Sequence, residues 1–370
     1  MREDDVKNRG KVVLAVDHGT SGVKTSLVTV TGEVLASAFE ETSVTFLPGG
    51  GAEQNPEDWW QAFVRTSQRL LGGGFVPKEE VVAVSVSSTF STTVPVGTDG
   101  QPAMNAITWM DQRGAPYVRK VAKGFPSFQG HGLLNIYRWI SRTGGAPSLS
   151  GKDDIGHVLL IQAEFPEVYE KTHVFLPSKD YFNLRLCGEI AASYDSIHLF
   201  WVTDTRDIQN IHYDDGLIRR FGIAKEKLPK LFPSTSVLGP LRPAVARELG
   251  LGADVKVVLG SPDHQSACIG SGAVRDFEAH LYVGTSSWIQ CIVPFKKTDM
   301  LHSIASFPTA IPGRYQSANE QDMAGGVLAH FAAQFMPRPN EDGGPGDVYR
   351  EMDALAARSK PGSADLIFLP

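Results

Sequence analysis

Only three cysteines, Cys187, Cys268 and Cys291, occur in 370 residues, with neither a C-x-x-C pair nor zinc spacing among them. Their scarcity argues against a disulfide framework or a zinc module and favours ordinary core thiols in a reducing cytosol. Positive charge is not in excess either: 35 Lys and Arg stand against 41 Asp and Glu, a formal net charge of −6. No global basic field is therefore offered to nucleic acid or to anionic lipid. No apolar run approaches the ~20 residues needed to span a bilayer. The first such run stops at Asp17, after an acid-containing start unlike an export signal. Coiled-coil heptads, low-complexity tracts and solenoid-period repeats are also missing. The expectation is a cytoplasmic protein with no nucleic-acid and no membrane partner.

What remains is an ordinary globular composition, 42% hydrophobic and 21% charged, in a chain long enough for about two domains. The opening predicts a β-meander: an apolar run over 11–17, the turn HGTSG, an alternating strand over 23–30, a turn at Thr31-Gly32 and a third strand over 33–39. Asn55-Pro56-Glu57-Asp58 then predicts a helix start, with a capping Asn, Pro at the first position and acids in the first turn. Trp59, Trp60, Phe63 and Val64 follow, and Gly72-Gly73-Gly74 ends the helix. Further strands are predicted over 81–87, at the start of NAITWMDQRG and over 255–260. Ser261-Pro262-Asp263 opens a small-residue helix, and a strand–turn–strand follows within 279–293. Helical spacing runs over 320–335, and an apolar strand is expected over 366–369. Residues 118–178, interrupted by the Gly-rich segment 143–154, show no clear period.

Two Gly-Thr-Ser turns, each between strands, stand out in AVDHGTSGVKTSLV and LYVGTSSWIQCIV. Glycine lets the backbone approach phosphate closely, and Thr20 and Ser21 add hydroxyl donors. Asp17, ending the first strand, could hold a hydrated magnesium, and Lys24 could neutralise phosphate charge. Val23 stands where a P-loop needs glycine before its lysine, so Walker-type chemistry is excluded. A plain polar hairpin turn is the simpler reading of the first motif taken alone. The second turn, Gly284-Thr285-Ser286, and Asp263 shift the balance. A kinase needs a carboxylate to take the proton from the attacking hydroxyl, although an Asp at a helix start is commonly only a cap.

Taken together, the motifs resemble the FGGY carbohydrate kinases, and the run of the chain is similar to xylulokinase-like members. AVDHGTSGVKTSL resembles the family's first phosphate motif, NAITWMDQR its sugar-side segment, LGSPDHQSACIGSG the segment with the catalytic Asp, and LYVGTSSW the second phosphate motif. EQNPEDWWQAF and LPSKDYFNLRLCGEIAASYDS also run like the xylulokinases. The resemblance covers nearly the whole chain, in the family's order. It implies an α/β, actin-like ATPase (ribonuclease H-like) fold of two domains around a cleft. Residues 1–260 would form the first domain, with the sugar side and first phosphate motif, and 261–370 a partial second domain. It implies ATP-dependent phosphorylation of a sugar or polyol, a ketopentose such as xylulose first, with ATP and Mg2+ as cofactors. Asp263 would be the general base, and Asp17 would organise magnesium. Gly19, Thr20, Ser21 and Lys24 would face the nucleotide phosphates, as would Gly284, Thr285 and Ser286. Ser91, Trp109, Asp111 and His264 would line the sugar site. The residues also admit plainer roles: a rim aromatic for Trp109, a salt bridge with Arg113 for Asp111, a solvated side chain for His264.

Several positions depart from the family pattern. His18 replaces a Leu or Gln-like residue, and Phe90-Ser91-Thr92 stands where glycerol kinases carry Arg-Glu and xylulokinases Met-His-Gly, which disfavours glycerol. His157 and Leu160 take the positions of a family Lys and Trp. The chain also stops at ADLIFLP, before the family's adenosine-binding Gly-rich segment, so a truncated kinase with an incomplete second domain and exposed apolar surface is expected. Such a domain could recruit a second copy as a homodimer. The alternatives are a non-catalytic sugar-binding remnant and another actin-like ATPase.

Overall fold

The computed structural model describes residues 10–284, 287–321, 324–336 and 345–368. The opening meander forms as the alternation predicts: β1 (Val12–Gly19), β2 (Gly22–Thr29) and β3 (Val34–Glu41) pair antiparallel in turn. Two short strands, β4 (Thr45–Leu47) and β5 (Gly51–Gln54), precede helix α1 (Pro56–Gly72). The Asn55 side chain accepts from Glu57 N, Pro56 opens the helix, and Gly73 follows its end. Its indole and phenyl face, Trp59, Trp60 and Phe63, is almost wholly buried with Leu14, Leu27 and Val84 of the sheet.

Strand β6 (Val81–Ser88) runs parallel to β1. Next come β7 (Thr93–Val96), β8 (Ala106–Ile107), α2 (Ala115–Ala122), α3 (Leu133–Thr143), α4 (Asp154–Glu164), β9 (Val174–Pro177) and α5 (Ser178–Cys187). Helix α6 (Asp215–Phe221) leads to β10 (Val237–Pro240), β11 (Lys256–Val258) and α7 (Asp263–Gly270). The main sheet has the order β10-β11-β6-β1-β2-β3, in which β1, β6 and β11 are parallel. The second sheet has the order β9-β7-β8-β5-β4. Its apolar core gathers Trp139, Ile161 and Phe175 from the stretch that showed no period, with Phe200 and Phe221 from further along the chain. Helix α4 explains that silence: residues 154–161 are all buried, polar Asp154 and His157 included, so no polar face is left to mark a helical period.

The chain divides into two compact units, residues 1–278 with 292–317, and residues 279–291 with 318–370. The smaller holds the hairpin of β12 (Ala279–Val283) with the first part of β13 (Ser287–Val293), the end of β14 (Tyr315–Gln321), and helices α8 (Gly325–Phe335) and α9 (Pro345–Ala356). The predicted helix over 320–335 thus begins only at Gly325, because Glu320 and Gln321 close a strand. Residues 366–368 are likewise not a strand; they remain exposed, although Phe368 meets Phe331 and Phe335 edge-on. Leu281, Val283, Leu328 and Phe335 each keep at least half of their surface exposed. No helix among the described residues is long and apolar enough to cross a membrane.

Candidate active site

Three parallel strand ends assemble the site within the larger unit. Asp17 lies in β1 opposite Lys24 of β2 and beside Ser87 of β6. One residue further along β6, Ser88 bridges to Pro262, which delivers Asp263 to the same edge. The path from β11 to Pro262 needs Gly260: its φ is +75°, and a Cβ there would lie 2.1 Å from Val86 O. Residues predicted from motifs 246 positions apart are thereby brought together by strand order alone.

The electrostatics agree with this placement. Asp17 keeps access to solvent, yet lost hydration raises its pKa above the ordinary aspartate value. The Asp263 carboxylate adds to that rise and Lys24 opposes it. At the start of α7 the helix cap position falls on Pro262, and no side-chain cap bond forms. The Asp263 carboxylate instead accepts from the adjacent His264 N at 2.7 Å and remains half-exposed. It is therefore not consumed by capping.

The turn after β1 is held from below and alongside. Gln54 donates to Thr20 O at 3.0 Å, and Thr42 N donates to Ser21 O at 3.0 Å. Trp109 Nε1 donates to Thr20 Oγ1 at 2.9 Å while 38% of the residue stays exposed. A residue expected beside the sugar thus shares a bond with the turn expected to face phosphate. Lys152, from the Gly-rich segment, stands with its ammonium 6.0 Å from the Trp109 ring centre. Its carbonyl accepts from Ser91 Oγ at 2.6 Å, and Ser91 itself adopts φ +60°.

Asp111 is fully buried, its oxygens taken by Ala52 N at 2.9 Å, Arg113 N at 2.9 Å and the Arg113 guanidinium at 2.6 Å. Glu53 holds the same guanidinium at 2.7 Å. This carboxylate shapes the loop that carries Trp109. His264 is buried against Phe90, ring centres 4.5 Å apart, and against Phe307 at 5.7 Å. Gln265 pins the segment carrying Phe307 by donating to Pro308 O and accepting from Ala310 N, both at 3.0 Å. Phe90, Lys152, Gln265 and Phe307 were not singled out as site residues from sequence. Lys152 and Phe307 carry no motif, and only the fold brings them near.

The larger unit also holds a buried polar cluster, of which the sequence pointed only to His157. Thr93 Oγ1 donates to Asp154 Oδ1 at 2.6 Å and lies 2.9 Å from His157 Nδ1. Burial pushes Asp154 up to about 7 and His157 down to about 4.

Among the described residues no group of three or more His, Cys, Asp or Glu is gathered for a metal. A cation at Asp17 would take one or two carboxylates from the chain and its remaining oxygens from phosphate and water, the donor set that suits magnesium.

In the smaller unit, Gly284 follows β12, and its carbonyl accepts from Gly325 N at 2.7 Å at the start of α8. Tyr282 and Trp288 stack across the hairpin with centres 3.9 Å apart. Thr285 and Ser286 lie outside the described residues.

Residues 12–270 match the model of the FGGY family of carbohydrate kinases, N-terminal domain. The xylulose kinase of Bacillus subtilis is 29% identical over 328 residues, 88% of this chain and 62% of that protein. The gluconokinase of Bacillus subtilis is 24% identical over 363 residues, 97% of this chain and 67% of that protein. The chain therefore spans about two-thirds of the length of these relatives. The crystal structure of a ligand-bound xylulose kinase from Lactobacillus acidophilus superposes with a TM-score of 0.83 at 24% identity, over 97% of this chain and 68% of that one. That likeness shows the α/β, actin-like ATPase fold. With its family match covering more than half of its length, the chain belongs to the FGGY family of carbohydrate kinases.

Proposed function

We propose that this chain carries the sugar-binding and proton-abstracting part of an ATP-dependent kinase acting on a sugar or polyol hydroxyl, with a ketopentose such as xylulose as the first substrate to test. The observation that carries this reading is the convergence of Asp17 and Asp263 on one sheet edge, close enough for the second carboxylate to raise the pKa of the first. Relatives named xylulose kinase and gluconokinase support it.

Asp263 takes the proton of the attacking hydroxyl, and Asp17 would hold a magnesium ion. That ion, when bound, neutralises charge on the transferring phosphoryl group. Gly19, Thr20, Ser21 and Lys24 face the phosphates of ATP, with Gly284, Thr285 and Ser286 as the second phosphate turn. Trp109, Ser91 and His264 line the sugar, with Phe90 and Lys152 beside them. Asp111 acts one step back, through Arg113 and the loop.

ADP release from magnesium-ATP, followed over xylulose, other ketoses, polyols and gluconate, tests this reading. Turnover on a ketopentose should fall by about 10²–10⁴-fold in Asp263→Asn. Near-normal turnover in that variant would remove Asp263 as the base, and turnover on gluconate alone would move the substrate to a sugar acid. Sugar binding without turnover in any reaction would favour a non-catalytic binding protein.

A further inference from the structure

A second place on the larger unit is built for negative charge, on helices that carry none of the phosphate-type turns or Asp263. The ends of α2, α3 and α6 border a cavity of about 1020 Å³. Lys120, Lys123, Arg138, Arg142, Arg219 and Arg220 line it, and Asp214 is the one acidic residue among the lining side chains. In a chain of net charge −6 this is a local inversion of sign. Leu159, Leu217 and Phe221, all buried, give it an apolar floor.

Cations near helix C-termini ordinarily complement the helix dipole and face water. Two details exceed that explanation. Among the described residues, Asp214 neutralises Arg142 through a 2.5 Å pair, while Lys120, Lys123, Arg138 and Arg219 form no ion pair with a carboxylate. Of the carboxylates on adjoining turns, Glu164 bonds the Tyr117 hydroxyl, and Asp215 pairs with Lys225 while Arg219 adds a weaker, longer-range attraction to it. Arg220, moreover, is partly withdrawn from water with its guanidinium over the Trp139 ring, 5.6 Å from the centre, and its Nη2 donating to Val121 O at 3.0 Å. Its Nε is buried without a hydrogen-bond partner. Burial and the neighbouring Arg138 both lower its pKa. A partly desolvated guanidinium beside another, with no acid to offset them, is stabilised by an anion arriving from outside.

We propose that this cavity binds a small organic anion carrying at least two phosphate groups. One phosphate is satisfied by one or two guanidinium forks, whereas the uncompensated cations here come from three separate helices. The site stands independently of the phosphoryl-transfer reading, because it can be read without sugar, nucleotide or turnover.

Calorimetric titration with sodium pyrophosphate, at fixed ionic strength and without magnesium, tests it. Exothermic or entropic binding that weakens with added NaCl is expected, and orthophosphate should bind at least about tenfold more weakly. The double variant Arg138→Gln/Arg219→Gln, at two exposed positions, should lose at least about tenfold in affinity for pyrophosphate. Asp214→Asn gives an arm that misfolding cannot imitate. Asn retains the cap on Leu217 N that Asp214 now provides at 2.8 Å, yet removes the single lining carboxylate, so pyrophosphate should bind several-fold more tightly. Absence of binding, equal affinity for orthophosphate, or affinity unchanged in the Arg138/Arg219 variant would each overturn the proposal; the last would place the ligand elsewhere on the chain.

Discussion

At the scale of single residues, His18 is the clearest anomaly. It is fully buried beside Trp59, with ring centres 4.2 Å apart, and near Phe182 at 5.5 Å. Neither ring nitrogen has a hydrogen-bond partner. An imidazole so placed loses its hydration without recompense, which holds its pKa down to about 3. Replacing it by a shape-tolerant apolar side chain removes that cost. His18→Leu should therefore raise the unfolding free energy at neutral pH by about 1–3 kcal/mol, read from urea midpoints. An unchanged or lowered midpoint would mean that an ordered water or tighter ring packing already supplies what the nitrogens need. The sequence marked this position as odd but gave no reason; the reason lies in Trp59 and Phe182, remote in sequence and adjacent only after folding.

At the scale of elements, α5 anchors the approach to Asp263. Lys179 and Asp180 are both buried and paired at 2.5 Å. Lys179 also donates to Leu259 O at 3.1 Å, the same carbonyl that Asn183 reaches at 2.8 Å. Burial raises the pKa of Asp180 against the pull of this ammonium. Removing one partner strands the other, so Lys179→Met should destabilise the fold by about 3–5 kcal/mol. Lys179→Met/Asp180→Leu should recover much of that loss, and equal losses in both variants would show that the ion pair is not what α5 contributes. Elements with a local signature were legible: the alternation of β1 and β2, and the Asn55-Pro56 start of α1. Asp263 was legible as the residue opening a helix. The pairing of Lys179 with a carbonyl 80 positions away was not, nor was the meeting of Phe90 with His264, since tertiary contacts leave no periodic trace. Glu320 and Gln321 misled for a related reason, because a helical apolar spacing that starts at Gly325 extends by chance into a polar strand.

At the scale of the whole molecule, buried titrating groups set how stability depends on pH. His18 and His198 are held at about 3 and His157 at about 4, against an ordinary value of 6.5. Below pH 6.5 the unfolded chain takes up protons that the folded chain refuses, so stability present above 6.5 is lost as pH falls. Asp154, raised to about 7, has the opposite sign: the folded chain holds a proton between about 4 and 7 that the unfolded chain has released. Its contribution therefore declines as pH rises through that window. Asp17 and Asp180, raised likewise, share the sign of Asp154; with the three histidines dominant, the melting temperature should fall between pH 7 and 5. The slope should be on the order of 2–3 kcal/mol per pH unit at most. The same scan on His18→Leu should give a shallower acid limb; an identical limb would show that His18 takes no part in it.

The sheet order has one more consequence. Strand β1 is flanked on both sides, by β2 and by β6, whereas α8 in the smaller unit has no buried side chain. In heavy water, the amide hydrogens of β1 should be among the last in the chain to be replaced by deuterium, and those of α8 among the first. Asp17 hangs from this doubly flanked strand, so the position of its carboxylate should persist for as long as the fold does.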